Sequence, residues 1–126
     1  MQKLLKKIAL ELSEDSKVKA VYLFGSQATG KAGPLSDIDI CVIAPGLSEQ
    51  EKSNIWSYAS EKVEVVLFDD LPLTIKNRVF REGKPLYVAN QKYIDDLNWR
   101  TTKEYWDFKP ILKEFIEEYI PGAEYV

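Results

Sequence analysis

The sequence predicts a mixed α/β (α+β) domain, in which a small mixed central sheet is flanked by helices and followed by a helical C-terminal tail. Short apolar runs alternate with longer segments whose apolar residues repeat at helical spacing, and turn residues separate them. The chain has 126 residues, the usual size of one domain, and its 45% hydrophobic and 29% charged residues are typical of globular proteins. We therefore expect a single domain over 1–126, with a core at about 18–90 and a helical tail at about 90–120.

The first half of the chain is predicted to alternate helices and strands. We expect a helix at 2–14, strands at 18–24 and 37–43 with a short turn or helix near 26–30 between them, and a helix at about 48–61. The first helix is amphipathic, because its apolar residues lie three and four positions apart. The start of the last one is indicated by Ser48 and Glu51, which together can form a capping box.

The second half is predicted to add two strands and two helical segments. We expect a strand at 63–68, a helix at about 72–82, a short strand at 85–88 and a helical tail at about 90–118. Pro72 suits the first turn of its helix. The tail is expected to be interrupted near Lys109-Pro110, because proline removes a backbone donor and disfavours helix at the residue before it.

A Gly-Ser turn and two aspartates form the most specific pattern. Gly25-Ser26 ends one predicted strand, and strand alternation places Asp37 and Asp39 on the same side of the next. Two anions that close together repel each other, so the pair is best explained by a divalent cation. The turn offers backbone N–H groups and a hydroxyl to a phosphate. Each element alone is also compatible with an ordinary turn or with solvated carboxylates.

The spacing of these motifs resembles that of a known superfamily. Gly25-Ser26, ten residues and then Asp37-x-Asp39 are similar to the motif of the DNA polymerase β-type nucleotidyltransferases, and particularly to the minimal nucleotidyltransferase (MNT) antitoxins of HEPN–MNT toxin–antitoxin pairs. Residues 63–68 resemble the strand that carries the third carboxylate of the family, and 78–87 resemble the helix, glycine turn and strand that follow it. The resemblance covers about 18–90 and implies a nucleotidyltransferase-like fold.

The third carboxylate departs from the family pattern. Glu64 stands where relatives usually have aspartate, and it alternates with Val66 and Phe68, so an anion is predicted on a face that otherwise looks buried. A buried carboxylate needs a partner or a metal. Asp69, at the end of the same strand, is the rival candidate, but its surroundings are typical of a turn. We favour Glu64, although a solvated edge position would give the same pattern.

The resemblance implies a function for these residues. It assigns catalysis and the binding of Mg²⁺, as two ions, to Asp37, Asp39 and Glu64, and it assigns ATP binding to Gly25 and Ser26. The implied reaction transfers AMP from ATP to a tyrosine hydroxyl of a HEPN ribonuclease toxin. Two alternatives stay open: an antitoxin that acts by binding alone, its site weakened by glutamate for aspartate, and a nucleotidyltransferase of small molecules such as antibiotics.

Composition limits the other functions. The chain has no histidine, so histidine bases and histidine metal sites are excluded. The single cysteine, Cys41, fits a cytoplasmic protein and is better explained as a small buried hydrophobe than as a metal ligand. A net charge of −3 disfavours extended nucleic acid, and no run is long enough to span a membrane. A homo-oligomer remains possible.

Basic residues near the motifs have ordinary explanations as well as functional ones. Lys31, in the loop between the motifs, could touch phosphate, and Arg78 and Arg81, one helical turn apart, could face a triphosphate or an acceptor. A solvated surface is the simpler explanation for all three. Thr29 stands where relatives often carry arginine.

The tail is unusually rich in aromatic residues, most of which we expect to be core. Its aromatic residues are Tyr93, Trp99, Tyr105, Trp106, Phe108, Phe115 and Tyr119. Trp99 and Trp106 are seven residues apart and hence share one helix face, with basic residues beside them. That combination favours a partner-docking surface as a second role.

Overall fold

The computed structural model describes residues 2–25, 28, 30, 37–120 and 122. The short element expected near 26–30 lies mostly outside these residues, as do the side chains of Ser26, Thr29 and Lys31.

Four helices and four strands make up the described part of the chain. The helices are α1 (Gln2–Ser13), α2 (Glu49–Trp56), α3 (Leu73–Glu82) and α4 (Gln91–Tyr119), and the strands are β1 (Ala20–Phe24), β2 (Ile38–Ile43), β3 (Val63–Leu67) and β4 (Lys84–Val88). A 3₁₀ turn, Phe68–Asp70, follows β3. The largest departure from expectation is the end of α2, which stops well before 61. The backbones of Ser60 and Val63 bond to each other there and turn the chain into β3.

The sheet is mixed, as the sequence predicts. The strand order is β3-β2-β1-β4; β1 runs antiparallel to both β2 and β4, while β3 runs parallel to β2. The β2–α2–β3 segment is therefore a crossover connection, with α2 as its helix. This arrangement leaves β3 and β4 as the two edges.

Helices cover both faces of the sheet. One face packs against α1 and α2, in a cluster that includes Leu12, Ile40, Val42, Ile55 and Val65. The other face packs against α3 and α4, in a cluster that includes Tyr22, Cys41, Ile43, Val79 and Ile94. Burial raises the pKa of the Cys41 thiol to about 12, so the thiol stays neutral. The prediction that Cys41 is a small buried core residue is confirmed.

The predicted capping box of α2 is confirmed and also ties the helix to the loop before β1. Ser48 Oγ accepts a hydrogen bond from the backbone N–H of Glu51 at 3.2 Å, and Glu51 Oε1 accepts one from the backbone N–H of Ser48 at 3.0 Å. Lys17 Nζ lies 2.7 Å from Glu51 Oε2. The bond from Lys17 is the main reason that the pKa of Glu51 falls to about 2. The stability that these contacts supply is therefore present above the ordinary pKa of glutamate and is lost as pH falls toward 2.

The expected interruption of the tail at Pro110 is wrong, because α4 continues through it. Proline removes the bond that its own N–H would have given to the carbonyl of Trp106, and its ring crowds that carbonyl. Pro110 and Trp106 are both exposed, so the lost bond lies on the solvent side of the helix, where water can replace it. Among the described residues, α4 included, no helix is both long and apolar enough to cross a membrane.

Most aromatic residues of the tail are not in the core, contrary to expectation. Tyr105 is buried, but Trp99, Trp106, Phe115 and Tyr119 are exposed. The reason is length: the 29 residues of α4 extend about 43 Å, whereas the five residues of an adjoining strand extend roughly 17 Å. Most of α4 therefore runs beyond the sheet.

The turn after β1 is pressed against β2. Phe24, the last residue of β1, pairs with Asp39, and Gly25 follows with a φ of 75°. A Cβ on Gly25 would overlap Asp39 Oδ2 and would lie 3.2 Å from Asp39 Cγ. Glycine is thus needed at this position for its left-handed backbone and for the close approach.

Replacing Gly25 with alanine separates these two requirements from each other. Gly46 is the matched control, because its φ is 74° and no atom lies within 4 Å of a Cβ built there. We expect Gly46→Ala to lower the free energy of unfolding by about 1 kcal/mol, the cost of the left-handed backbone alone. Gly25→Ala should lower it by about 2–4 kcal/mol, since Asp39 must also move. Urea denaturation measures both, and equal losses would contradict the close contact.

Candidate active site

The parallel pairing of β2 with β3 sets Asp39 directly beside Glu64. The two residues are register partners, and their side chains project from the same face of the sheet. Their carboxyl groups lie close enough to be joined by a hydrogen bond. Two of the three carboxylates named from the sequence are therefore brought into contact.

Asp39 lies at the centre of a cluster of negative charge. Burial raises its pKa above the usual range; the charge of Glu64, the hydrogen bond with Glu64 and the charge of Asp37 raise it further. Asp39 is half-buried, whereas Asp37 and Glu64 are exposed. Asp37, just before β2, thus acts on Asp39 through its charge. A proton or a cation shared by these groups would relieve the repulsion.

Burial of Glu64, on which the sequence argument rested, is not observed. The side chain is exposed, while Val66 is half-buried and Phe68 is buried. Glu64 is near the start of β3, which is an edge strand, and only the later residues on its face are covered. Its pairing with Asp39, rather than its burial, is what connects Glu64 to the candidate site.

Asp69 lies at the other end of β3. The three strand steps from Glu64 to Leu67 span about 10 Å, and Asp69 follows in the 3₁₀ turn beyond them. It lines a separate concavity with Lys52 and Asp70. Because β2 and β3 are parallel, Asp69 is near the Ile43 end of β2 and is far from Asp39.

A concavity of about 100 Å³ adjoins the acidic pair at the end of β1. Its described lining consists of Phe24, Gly25, Ile75, Arg78 and Glu82. Gly25 links it to the carboxylates, since a side chain there would strike Asp39. The sequence left Arg78 open between a solvated surface and a contact with a triphosphate or an acceptor, and the packing of α3 beside β1 places it at this concavity. The hydroxyl expected from Ser26 lies outside the described residues.

The donors fit a hard divalent cation. Asp37, Asp39 and Glu64 offer only carboxylate oxygens, and Mg²⁺ prefers oxygen ligands that waters and phosphates complete. Within the residues that the structure describes, no three His, Cys, Asp or Glu side chains already form a group able to hold a metal. The arrangement is therefore a contacting pair, Asp39 and Glu64, with Asp37 close enough to add its charge.

Comparison with known proteins supports this reading of the fold. A chain from the structure of a tri-AMPylated Shewanella oneidensis HEPN toxin in complex with MNT antitoxin is 23% identical; the match covers 94% of this chain and 98% of that one, with a TM-score of 0.71. A chain from a toxin–antitoxin structure with AMP-PNP is 24% identical, with coverages of 90% and 96% and a TM-score of 0.70. At these identities the likeness shows the fold.

One sequence comparison gives a relative, and a second identifies the family. A Methanocaldococcus jannaschii chain, whose name assigns it to the protein adenylyltransferases, is 32% identical over 72 residues, which are 57% of each chain. This chain thus spans less than two thirds of that relative. The model of the family described as "Polymerase beta, Nucleotidyltransferase" matches residues 6–92, most of the 126. The chain therefore belongs to the polymerase β nucleotidyltransferase family.

Proposed function

We propose that this chain is an MNT-type antitoxin that transfers AMP from ATP to a tyrosine hydroxyl of a HEPN toxin in a Mg²⁺-dependent reaction. The observation that carries the proposal is the contact of Asp39 with Glu64 beside the Gly25 turn. In a member of a nucleotidyltransferase family, this combination supplies metal ligands next to a backbone turn that phosphate can approach. The fold shared with chains from toxin–antitoxin complexes supports the nature of the partner.

Each site residue has a role in this proposal. Asp37 and Asp39 would hold an ion together with the phosphates, and Glu64 would hold a second one with Asp39. Bound Mg²⁺ ions would neutralise the charge that develops on the entering and leaving oxygens. Gly25 lines the concavity at the end of β1, where a phosphate would meet the backbone of the turn. Like-charge repulsion within the cluster favours the uptake of cations.

The transfer itself is a displacement at phosphorus. The tyrosine oxygen forms a bond to the α-phosphorus of ATP as the bond from that phosphorus to the bridging oxygen breaks, and pyrophosphate leaves. Glu64 would accept the hydroxyl proton, because its carboxylate is exposed beside the site. Burial and repulsion oppose the charged form of Asp39, so cation binding and the charged state of the cluster are coupled.

An exposed surface on α4 supports a protein acceptor over a small molecule. This α4 aromatic–lysine surface consists of Trp99, Lys103, Trp106 and Lys109. Lys103 Nζ lies 5.5 Å from the centroid of the Trp99 ring, and Lys109 Nζ lies 4.8 Å from that of Trp106. Tryptophan is among the side chains enriched at the anchor positions of protein interfaces. Such a surface would also serve an antitoxin that acts by binding alone.

Removing the charge of Asp39 should stabilise the metal-free protein. The pKa of Asp39 is raised in the folded protein, so the charged carboxylate lowers the free energy of unfolding. This loss of stability is absent below the ordinary aspartate pKa of 3.8 and grows as pH rises through the raised pKa. We expect Asp39→Asn to increase Tm at pH 7 in EDTA and to have little effect near pH 3. Mg²⁺ should raise the Tm of the parent more than that of the variant. Asp96→Asn, an exposed change in α4, is the control, and equal shifts in the two variants would contradict the account.

Glu64 and Asp69 can be compared directly, because they lie at opposite ends of β3. We expect Glu64→Gln to lower AMP transfer to the purified HEPN toxin by at least about 100-fold, while ATP binding falls much less. Asp69→Asn should behave like the parent. Transfer is measured with labelled ATP and Mg²⁺.

The reverse pattern, with Asp69→Asn inactive and Glu64→Gln active, would refute our assignment of the third carboxylate. Inactivity of the parent together with full neutralisation of the toxin would instead identify an antitoxin that acts by binding alone.

The α4 aromatic–lysine surface can be tested with two tryptophan variants. We expect Trp106→Ala to weaken binding to the HEPN toxin by at least about tenfold, that is ~1.4 kcal/mol, because a large anchor is lost. Trp56→Ala is the matched control, since Trp56 is also exposed but lies on α2. Calorimetry measures both affinities. Equal affinities for the two variants would remove this surface from the interface.

A further inference from the structure

Arg78 lies beside the turn that would approach the phosphates. It projects from α3 into the concavity that Gly25 and Phe24 close from the β1 side. Gly25 is in turn pressed against Asp39. A nucleotide whose phosphates reached the turn and the acidic pair would therefore pass close to the guanidinium group.

The negative charge of the site favours a positively charged side chain beside the Gly25 concavity. Asp37, Asp39 and Glu64 are negative, and so is a nucleoside triphosphate, which two divalent ions would neutralise only in part. Arg78 is the one basic side chain among the described residues that line the concavity. A guanidinium group presents paired N–H donors that match phosphate oxygens, and such charge-assisted bonds are strong.

The present partner of Arg78 holds it only weakly. Its Nη2 lies 3.5 Å from Glu82 Oε2, and about half of the arginine side chain is exposed. An exposed pair of this kind, one helical turn apart, contributes little to stability. Glu82 also lies 3.5 Å from Arg81 Nη2, so it keeps a cationic neighbour when Arg78 turns away. Little free energy opposes the exchange of Glu82 for a phosphate.

We propose that Arg78 binds the phosphate chain of the nucleoside triphosphate and leaves Glu82 to Arg81 when the nucleotide is bound. The inference rests on the proposed function and adds a ligand-binding residue to the same site. It predicts a preference for triphosphate over monophosphate, because the interaction depends on the charge of the β- and γ-phosphates. Arg78 positions the leaving group and takes no proton.

Arg81 is a matched control within the same helix. It is one turn from Arg78 and equally far from Glu82, but it opens into a different groove. That groove, of about 340 Å³ between α3 and α4, is lined by residues that include Asn77, Tyr105 and Trp106. A variant of Arg81 thus changes the helix charge equally without changing the lining of the Gly25 concavity.

The test measures the binding of AMP-PNP and of AMP to the full chain with Mg²⁺. We expect Arg78→Gln to weaken AMP-PNP binding at least about tenfold and AMP binding less than about twofold. Arg81→Gln should change either affinity by less than about twofold, because the exposed pair that Arg81 makes with Glu82 is weak. Arg78→Lys should lie between, since it keeps the charge and loses the paired donors. Thermal unfolding of each variant confirms that it is folded.

Three results would overturn the inference: parent-like AMP-PNP binding by Arg78→Gln, an equal loss for AMP and AMP-PNP, or an equal loss in Arg81→Gln. A failure of the proposed function looks different. In that case the parent itself binds no AMP-PNP or transfers no AMP to the toxin. A parent that binds and transfers, with Arg78→Gln unchanged, leaves the function standing and removes only the role of Arg78.

Discussion

The parallel register of β2 and β3 is the constraint on which the candidate site depends. It places Asp39 beside Glu64, and a slip of one residue would turn one of the two carboxylates to the opposite face. Such a slip is opposed because helices cover both faces of the sheet: Val65 packs toward α1 and α2, while Phe68 packs toward α3 and α4. The two-sided hydrophobic core therefore fixes a contact that the charges themselves oppose.

The repulsion between the acids is a property that the fold maintains. The four residues that follow Asp39 in β2, from Ile40 to Ile43, are fully buried and leave the strand little freedom to move. The Gly25 turn packs against the Asp39 side chain itself. The backbones that carry the two carboxylates cannot separate, so the repulsion between Asp39 and Glu64 remains available to a proton or a cation. An acidic cluster on a flexible loop would lose this preference by moving apart.

Local patterns in the sequence predicted more of the structure than did expectations that depend on distant contacts. Alternation, caps and turn residues predicted the order of the elements. The exposure of Glu64 follows from the edge position of β3, which a single strand pattern does not contain. The exposure of Trp99 and Trp106 depends on how far α4 extends beyond the sheet. The position of Arg78 could not be predicted without knowing which face of α3 packs against β1.

The helix α3 connects the candidate site to the surface where a partner would dock. Arg78 faces the Gly25 concavity, Arg81 faces the groove that Trp106 also lines, and Glu82 lies 3.5 Å from both arginines. Glu82 lines the Gly25 concavity and is not part of the described lining of the groove, so the two arginines present their charge to different spaces although they share one carboxylate. Both arginine side chains are about half exposed, and their ion pairs with Glu82 are therefore weak. Either guanidinium group can thus leave Glu82 for an anion without a large loss of stability.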